Sequence, residues 1–454
     1  QDDEGTPNVM TTATKVDVST LSPSTYIYYT TNGSSISSPA EINDALRIIN
    51  IDGTGSTSLV SQLVVIPADL VIDSKTNIAF VMDNSTKSIY KVDLSTNTAS
   101  LFLDISSQTS SVTATGMAVD SINGYLYYTT TGTSTVSPSE TNDALRRINI
   151  DGTNNVTLVN NLVGIPGDIV LDQKNNVIFI MDNLTKSIYK VNLSNNTSSL
   201  FLDISSQTSS ITATGMVIDP INDYLYYTTT GTSTVSPSET NDALRRINLD
   251  GTGNITLVNQ LVGIPGEISL DLKNNNMYVF DNLTKSIYKV DLSTNTVSLF
   301  QDISTQTSSI TATGMVISDG TIPTFDSINS IPSDNGTGVN TSANLQLKFS
   351  EVIIKGYSGN FVIRDVTSNS VIETISFDDA RITGWGTNTL VINPNATFAG
   401  NHNISVQWSF GTMQDYYGNF VAANTTDTLY NFTTLLSGPT VSVATGTYND
   451  TVAN

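Results

Sequence analysis

Carboxylates dominate the residues of this chain that could do chemistry, and they recur at fixed intervals. Asp73, Asp120, Asp172, Asp219 and Asp271 each close an apolar run, which puts them at the same end of successive strands. Two chemistries suit such a residue. A strand-end Asp caps the backbone N–H groups of the following turn, whereas several converging on one axis would make an oxygen ligand set for Ca²⁺. A second series is Glu41, Glu140 and Glu239, beside Asn43, Asn142 and Asn241, in polar loops over 30–43, 129–142 and 228–241. These loops read as plain long hairpin connections, or as a rim that chelates calcium or hydrogen-bonds a glycan. Asp415 opens Asp415-Tyr416-Tyr417-Gly418-Asn419, a turn sequence that also suits calcium. The metal candidates are thus Asp120, Asp219, Glu140, Glu239 and Asp415, and Ca²⁺ is the one cofactor the residues allow.

Other chemistry finds little support. The chain has no cysteine and one histidine, His402, between Asn401 and Asn403, where it reads as a solvated loop residue. No Ser/His/Asp set and no Gly-rich phosphate loop occurs, so an enzyme is not expected. Near-identical repeats argue the same way, because a catalytic site asks different residues of different repeats. A calcium-dependent hydrolase is the remaining enzymatic alternative.

Composition narrows partners and compartment. Of 454 residues 13% are charged, yet the net charge is −22, which disfavours nucleic acid and anionic membrane. No apolar run is long enough to span a bilayer. An acidic, thiol-free chain rich in Thr, Asn and Gly is close in composition to bacterial surface proteins. It begins at Gln1, which fits secretion followed by signal-peptide removal. Sixteen Asn-x-Ser/Thr triplets make a glycoprotein permissible, among them Asn84, Asn183 and Asn282 at equivalent positions, and Asn155, Asn254, Asn395 and Asn403.

The elements that must position these residues follow from a 99-residue repeat. Tyr28-Tyr29, Tyr127-Tyr128 and Tyr226-Tyr227 mark it, as do Lys87-Ser88-Ile89-Tyr90 and its copies at Lys186 and Lys285. Each repeat divides into a long and a short half, and each half carries four alternating segments separated by turn sequences such as Asn123-Gly124 and Asp151-Gly152. A period of about 50 residues with four short strands predicts propeller blades stacked around an axis, six in all. Six four-stranded blades need 24 strands and the sequence offers 25. Residues 12–18 and 311–317 both resemble an inner strand; the second is the better copy of 113–119 and is expected to close the ring in the first blade.

An apolar strand ending in Asp, then a turn and an aromatic-rich strand, as in Val119-Asp120 and Tyr125-Leu126-Tyr127-Tyr128, resembles the six-bladed YWTD and NHL-type propellers over about residues 12–318. The tetrapeptide itself is replaced here by Tyr-Tyr-Thr-Thr or Val-Met-Asp-Asn. From Ile322 the repeat is gone. Pro332-Ser333-Asp334-Asn335-Gly336, Leu347-Lys348-Phe349-Ser350-Glu351, Asp415-Tyr416-Tyr417-Gly418-Asn419 and Phe432-Thr433-Thr434 resemble the Ig-like domain of bacterial surface-layer proteins, which implies a β-sandwich.

The expected fold class is all-β: an extension over 1–22, a six-bladed β-propeller over 23–320, an Ig-like β-sandwich over 321–436 and a tail over 437–454. Two alternating segments are left over, one carrying Val16 and Val18, the other Val441, Val443 and Tyr448. Either could add to a sheet edge of another copy. A head-to-tail contact of that kind builds a filament. The function expected is therefore a structural subunit of a secreted cell-surface assembly whose partner is itself; the alternative is a glycan-binding adhesin that uses the propeller rim.

Overall fold

A computed structural model describes residues 25–32, 44–61, 63, 66–106, 113–133, 143–162, 164–205, 212–232, 242–261, 263–304 and 311–436. Val16, Val18, Glu41, Glu140, Glu239, Val441, Val443 and Tyr448 lie outside the described residues.

Six four-stranded antiparallel sheets form the propeller. In the first blade the order is Thr311–Ser318, Tyr26–Asn32, Ala45–Asn50, Thr57–Ser61, so the inner strand comes from the far end of the repeat. Its register, Ile27 opposite Ile317 and Tyr29 opposite Met315, ties the two ends of the ring together. The other five blades run in sequence order and begin with the inner strands Pro67–Asp73, Thr113–Asp120, Pro166–Asp172, Thr212–Asp219 and Pro265–Asp271.

Blades stack because a period-2 strand with apolar residues on both faces cannot bury them alone. The Tyr-Tyr pair shows the mechanism: Tyr127 packs with Ile169 and Ile178 of the next blade, while Tyr128 packs with Phe80 and Met82 of the preceding one. Six such apolar clusters, one in each gap, close the ring, the last joining Tyr278 and Phe280 to Ile27 and Tyr29. Arg47, Arg146 and Arg245 are fully buried, while Arg147 and Arg246 stack on Tyr125 and Tyr224 at 4.3 and 4.0 Å.

Residues 325–434 form a sandwich of two five-stranded sheets around Phe349, Phe361, Trp408, Tyr430 and Phe432. Among the described residues no helix is long and apolar enough to cross a membrane.

Candidate functional site

The inner strands run side by side along one axial channel, and their two ends meet different surroundings. Their first residues, Pro67, Thr115, Gly167, Thr214, Gly266 and Thr313 among them, line an open mouth of about 440 Å³. Their last residues, Val71, Val119, Leu171, Val217 and Leu270, line a chamber of about 320 Å³ that is capped by Tyr357, Tyr416 and Tyr417 of the sandwich.

Close packing of the inner strands rests on glycine. A Cβ on Gly116 would lie 2.4 Å from the Gly167 carbonyl oxygen, and one on Gly215 would lie 2.5 Å from that of Gly266. Both contacts are with the backbone of the next blade, so a side chain there would push the strands apart.

Three carboxylates face the open mouth at 99-residue spacing: Asp69, Asp168 and Glu267. Asp69 accepts the Leu70 N–H at 2.7 Å and the Met117 N–H at 2.6 Å, and Asp168 accepts the Met216 N–H at 2.6 Å. Burial pushes Asp69 up to about 6. Burial and the neighbouring Asp69 charge raise Asp168, and burial with the charges of Asp168 and Asp69 raises Glu267. Asn84, Asn183 and Asn282 line the same mouth. The carboxylate series was missed in the sequence because each member sits early in its inner strand, without a turn motif; the matched phrases Ile66-Pro67, Ile165-Pro166 and Ile264-Pro265 were the available signal.

At the other mouth the loop from Asp415 to Asn419 enters the propeller. Gly418 O accepts the Ser74 hydroxyl at 2.8 Å, the Tyr417 hydroxyl lies 3.4 Å from Asp271 Oδ1, and Lys75 sits 4.5 Å over the Phe410 ring. Here Asp319, Glu351 and Asp415 bring ligand oxygens within 4.8 Å of one another. The Asn419 side-chain amide donates to Asp319 Oδ1 at 2.6 Å and to Asp415 Oδ2 at 2.7 Å. Burial first, and the Asp319 charge second, push Glu351 and Asp415 up to about 7. Such a cluster suits shared protons, and its donor set also suits a hard cation.

The sequence-derived candidates distribute as follows. Asp415 lies in this cluster, with Asp319 and Glu351, which the sequence did not single out. Asp120 and Asp219 do not join it: Asp120 accepts the Ile122 and Asn123 N–H groups at 3.1 and 3.0 Å, and Asp219 those of Ile221 and Asn222 at 3.0 Å each. Those are turn caps. The expectation for His402 needs correction: it is not simply solvated, since its Nδ1 pairs with Asp365 Oδ2 at 2.6 Å across neighbouring strands. Of the sequon residues, Asn183 and Asn395 are exposed, and Asn84, Asn282 and Asn403 are partly buried. Asn155 and Asn254 accept the Tyr128 and Tyr227 hydroxyls at 2.8 Å.

Comparison with known proteins fits this division. Residues 319–434 match a family described as the bacterial Ig-like domain. A chain in the crystal structure of a nidogen/laminin complex is 15% identical and superposes with a TM-score of 0.50, covering 64% of this chain and 98% of its own. TolB from Acinetobacter baumannii is 10% identical with a TM-score of 0.47, over 64% of this chain and 66% of that one. A gluconolactonase from Xanthomonas campestris is 15% identical with a TM-score of 0.40, over 60% of this chain and 85% of that one. At these identities the likeness is one of fold. No curated protein sequence matches the chain. Ig-like domains of the matched family are typical of bacterial surface proteins. The chain is thus an all-β protein: a six-bladed propeller, followed by a sandwich whose residues 319–434 match the bacterial Ig-like domain.

Proposed function

We propose that this protein is the structural subunit of a homopolymeric extracellular filament, in which copies join head to tail through a terminal segment donated by one to the next. The observation that carries the reading is polarity. Strand Asn403–Trp408 points its Trp408 end at the propeller, with Gly411 beside Ile122, and Asn431–Thr434 runs antiparallel to it. Leu435 and Leu436 therefore leave the sandwich at the pole farthest from the propeller, both exposed. The open channel mouth lies at the opposite pole. Exit at one pole and an open surface at the other make a heterologous contact that need not close, and such a contact builds a filament. Glycans would decorate it at exposed sequons such as Asn395.

Negative-stain images of the purified full chain test this. Filaments that disappear in the Val441→Asp/Val443→Asp variant support it; particles that stay monomeric across concentration and salt refute it.

A second reading, glycan binding, draws on one further feature. A cleft of about 790 Å³ between propeller and sandwich is lined by Tyr357, Phe377, Trp385 and Tyr416, and aromatic walls beside polar groups suit sugar rings. Retention on a glycan array that Trp385→Ala abolishes would favour it, and no retention would remove it.

A further inference from the structure

One mouth of the channel is stopped by polypeptide: the sandwich loop carrying Tyr416 and Tyr417 fills it. The other mouth is rimmed by apolar side chains left in water. Ile66, Ile165 and Ile264 are 42%, 49% and 47% exposed, and Leu184 and Leu283 are 64% and 65% exposed. These residues are one rim, because each Ile opens an inner strand and its carbonyl accepts the N–H of Asn84, Asn183 or Asn282. An apolar ring of this kind around a polar opening marks a surface that something covers.

We propose, resting on the filament reading above, that residues 437–454 of one copy plug the open propeller mouth of the next. Three observations choose this occupant. The first is place: Leu436 leaves at the pole facing away from that mouth, whereas Thr25, where the described chain begins, lies at the waist with its hydroxyl 3.3 Å from that of Tyr417. A segment leaving the waist serves a pole-to-pole contact poorly; 18 residues leaving the far pole span up to about 60 Å when extended.

The second is size and charge. Thr440-Val441-Ser442-Val443-Ala444-Thr445-Gly446-Thr447 has small side chains suited to an opening of about 440 Å³, and Asp450 is the one charged residue of the segment. Asp69, Asp168 and Glu267 face that opening, so a nearly neutral segment enters where an acidic one would be repelled. The third is apolar complementarity. Val441 and Val443, on one side of an extended segment, would meet the Ile and Leu rim.

The absence of cysteine makes the test clean. Two full-length single-cysteine variants, Ile165→Cys and Val443→Cys, are mixed under mild oxidation, and a disulfide-linked heterodimer on a non-reducing gel is expected. Loss of filaments in Ile165→Asp/Ile264→Asp is expected alongside it. Capture of Val443→Cys by Leu200→Cys, on an outer blade edge, in place of Ile165→Cys would overturn the proposal, as would undiminished filaments from the Asp variant. If the unaltered protein forms filaments and the Ile165 pair does not link, the plug fails and the filament reading stands; if it forms none, the filament reading fails.

Discussion

The side-chain amide of Asn419 donates to Asp319 across the boundary between propeller and sandwich, at 2.6 Å, while also holding Asp415 at 2.7 Å. Both carboxylates are buried. Removing the amide leaves them facing each other without a donor between. Asp319 Oδ1 keeps the Thr321 N–H and Asp415 Oδ1 keeps the backbone N–H groups of Tyr417 and residue 419, but Asp415 Oδ2 loses its donor, so Asn419→Ala should cost about 1–3 kcal/mol. Urea unfolding of the full chain checks it; an unchanged midpoint would show that the bridge contributes nothing.

The same cluster sets a pH dependence. Asp415 and Glu351 are pushed up to about 7 and Asp69 to about 6 by burial, from ordinary values near 4. A carboxyl raised in the folded state holds its proton more tightly than the unfolded chain does. Its contribution to stability is therefore full below about pH 4 and is lost as pH rises through about 6 to 7. The thermal midpoint should fall across that window, and Asp415→Asn should flatten the decline. A midpoint that rises between about pH 5 and 7 would contradict these shifts.

Inner-strand glycines make a prediction about packing. A Cβ on Gly215 would lie 2.5 Å from the Gly266 carbonyl and 3.2 Å from Glu267 Cα, neither of which can swing away. Gly215→Ala should destabilise by about 1–3 kcal/mol through overpacking, and Gly116→Ala by a similar amount. Calorimetry of the two variants checks both the size and the equality.

Tyr417 separates plug from hydrogen bond. Its hydroxyl contacts are long, 3.3 and 3.4 Å, so Tyr417→Phe should be nearly neutral. Tyr417→Ala removes a half-buried ring that packs against the cluster of Tyr278 and Met315. It should cost about 2 kcal/mol, less than the roughly 3–5 kcal/mol of a fully buried aromatic. Comparable losses in the two variants would place the contribution in the hydroxyl instead.

Much of this protein is legible before any coordinates, because the information is local and repeated. Alternation in Tyr127-Tyr128, turn pairs such as Asn123-Gly124 and the 99-residue echo specify strands, hairpins and blade number, since a strand's two faces and a turn's φ requirement are properties of a few neighbouring residues. Ring closure by 311–317 also follows from counting. Asp120 and Asp219 cap turns within three residues of themselves, and so that role could be read from spacing, whereas the bond Asp120 also accepts from Gln173 of the next blade could not.

What the tertiary structure alone decided is where distant residues meet. Asp69, Asp168 and Glu267 look like ordinary strand residues until closure aims their strands at one axis. Asp319, Glu351 and Asp415 come from the end of the propeller, a sandwich strand and a sandwich loop, and become neighbours only when the loop enters the channel. That docking also distinguishes one mouth from the other and sends Leu436 to the opposite pole. Local periodicity carries no term for such juxtapositions, which depend on how whole domains pack, and the packing is set by surfaces assembled from residues hundreds of positions apart.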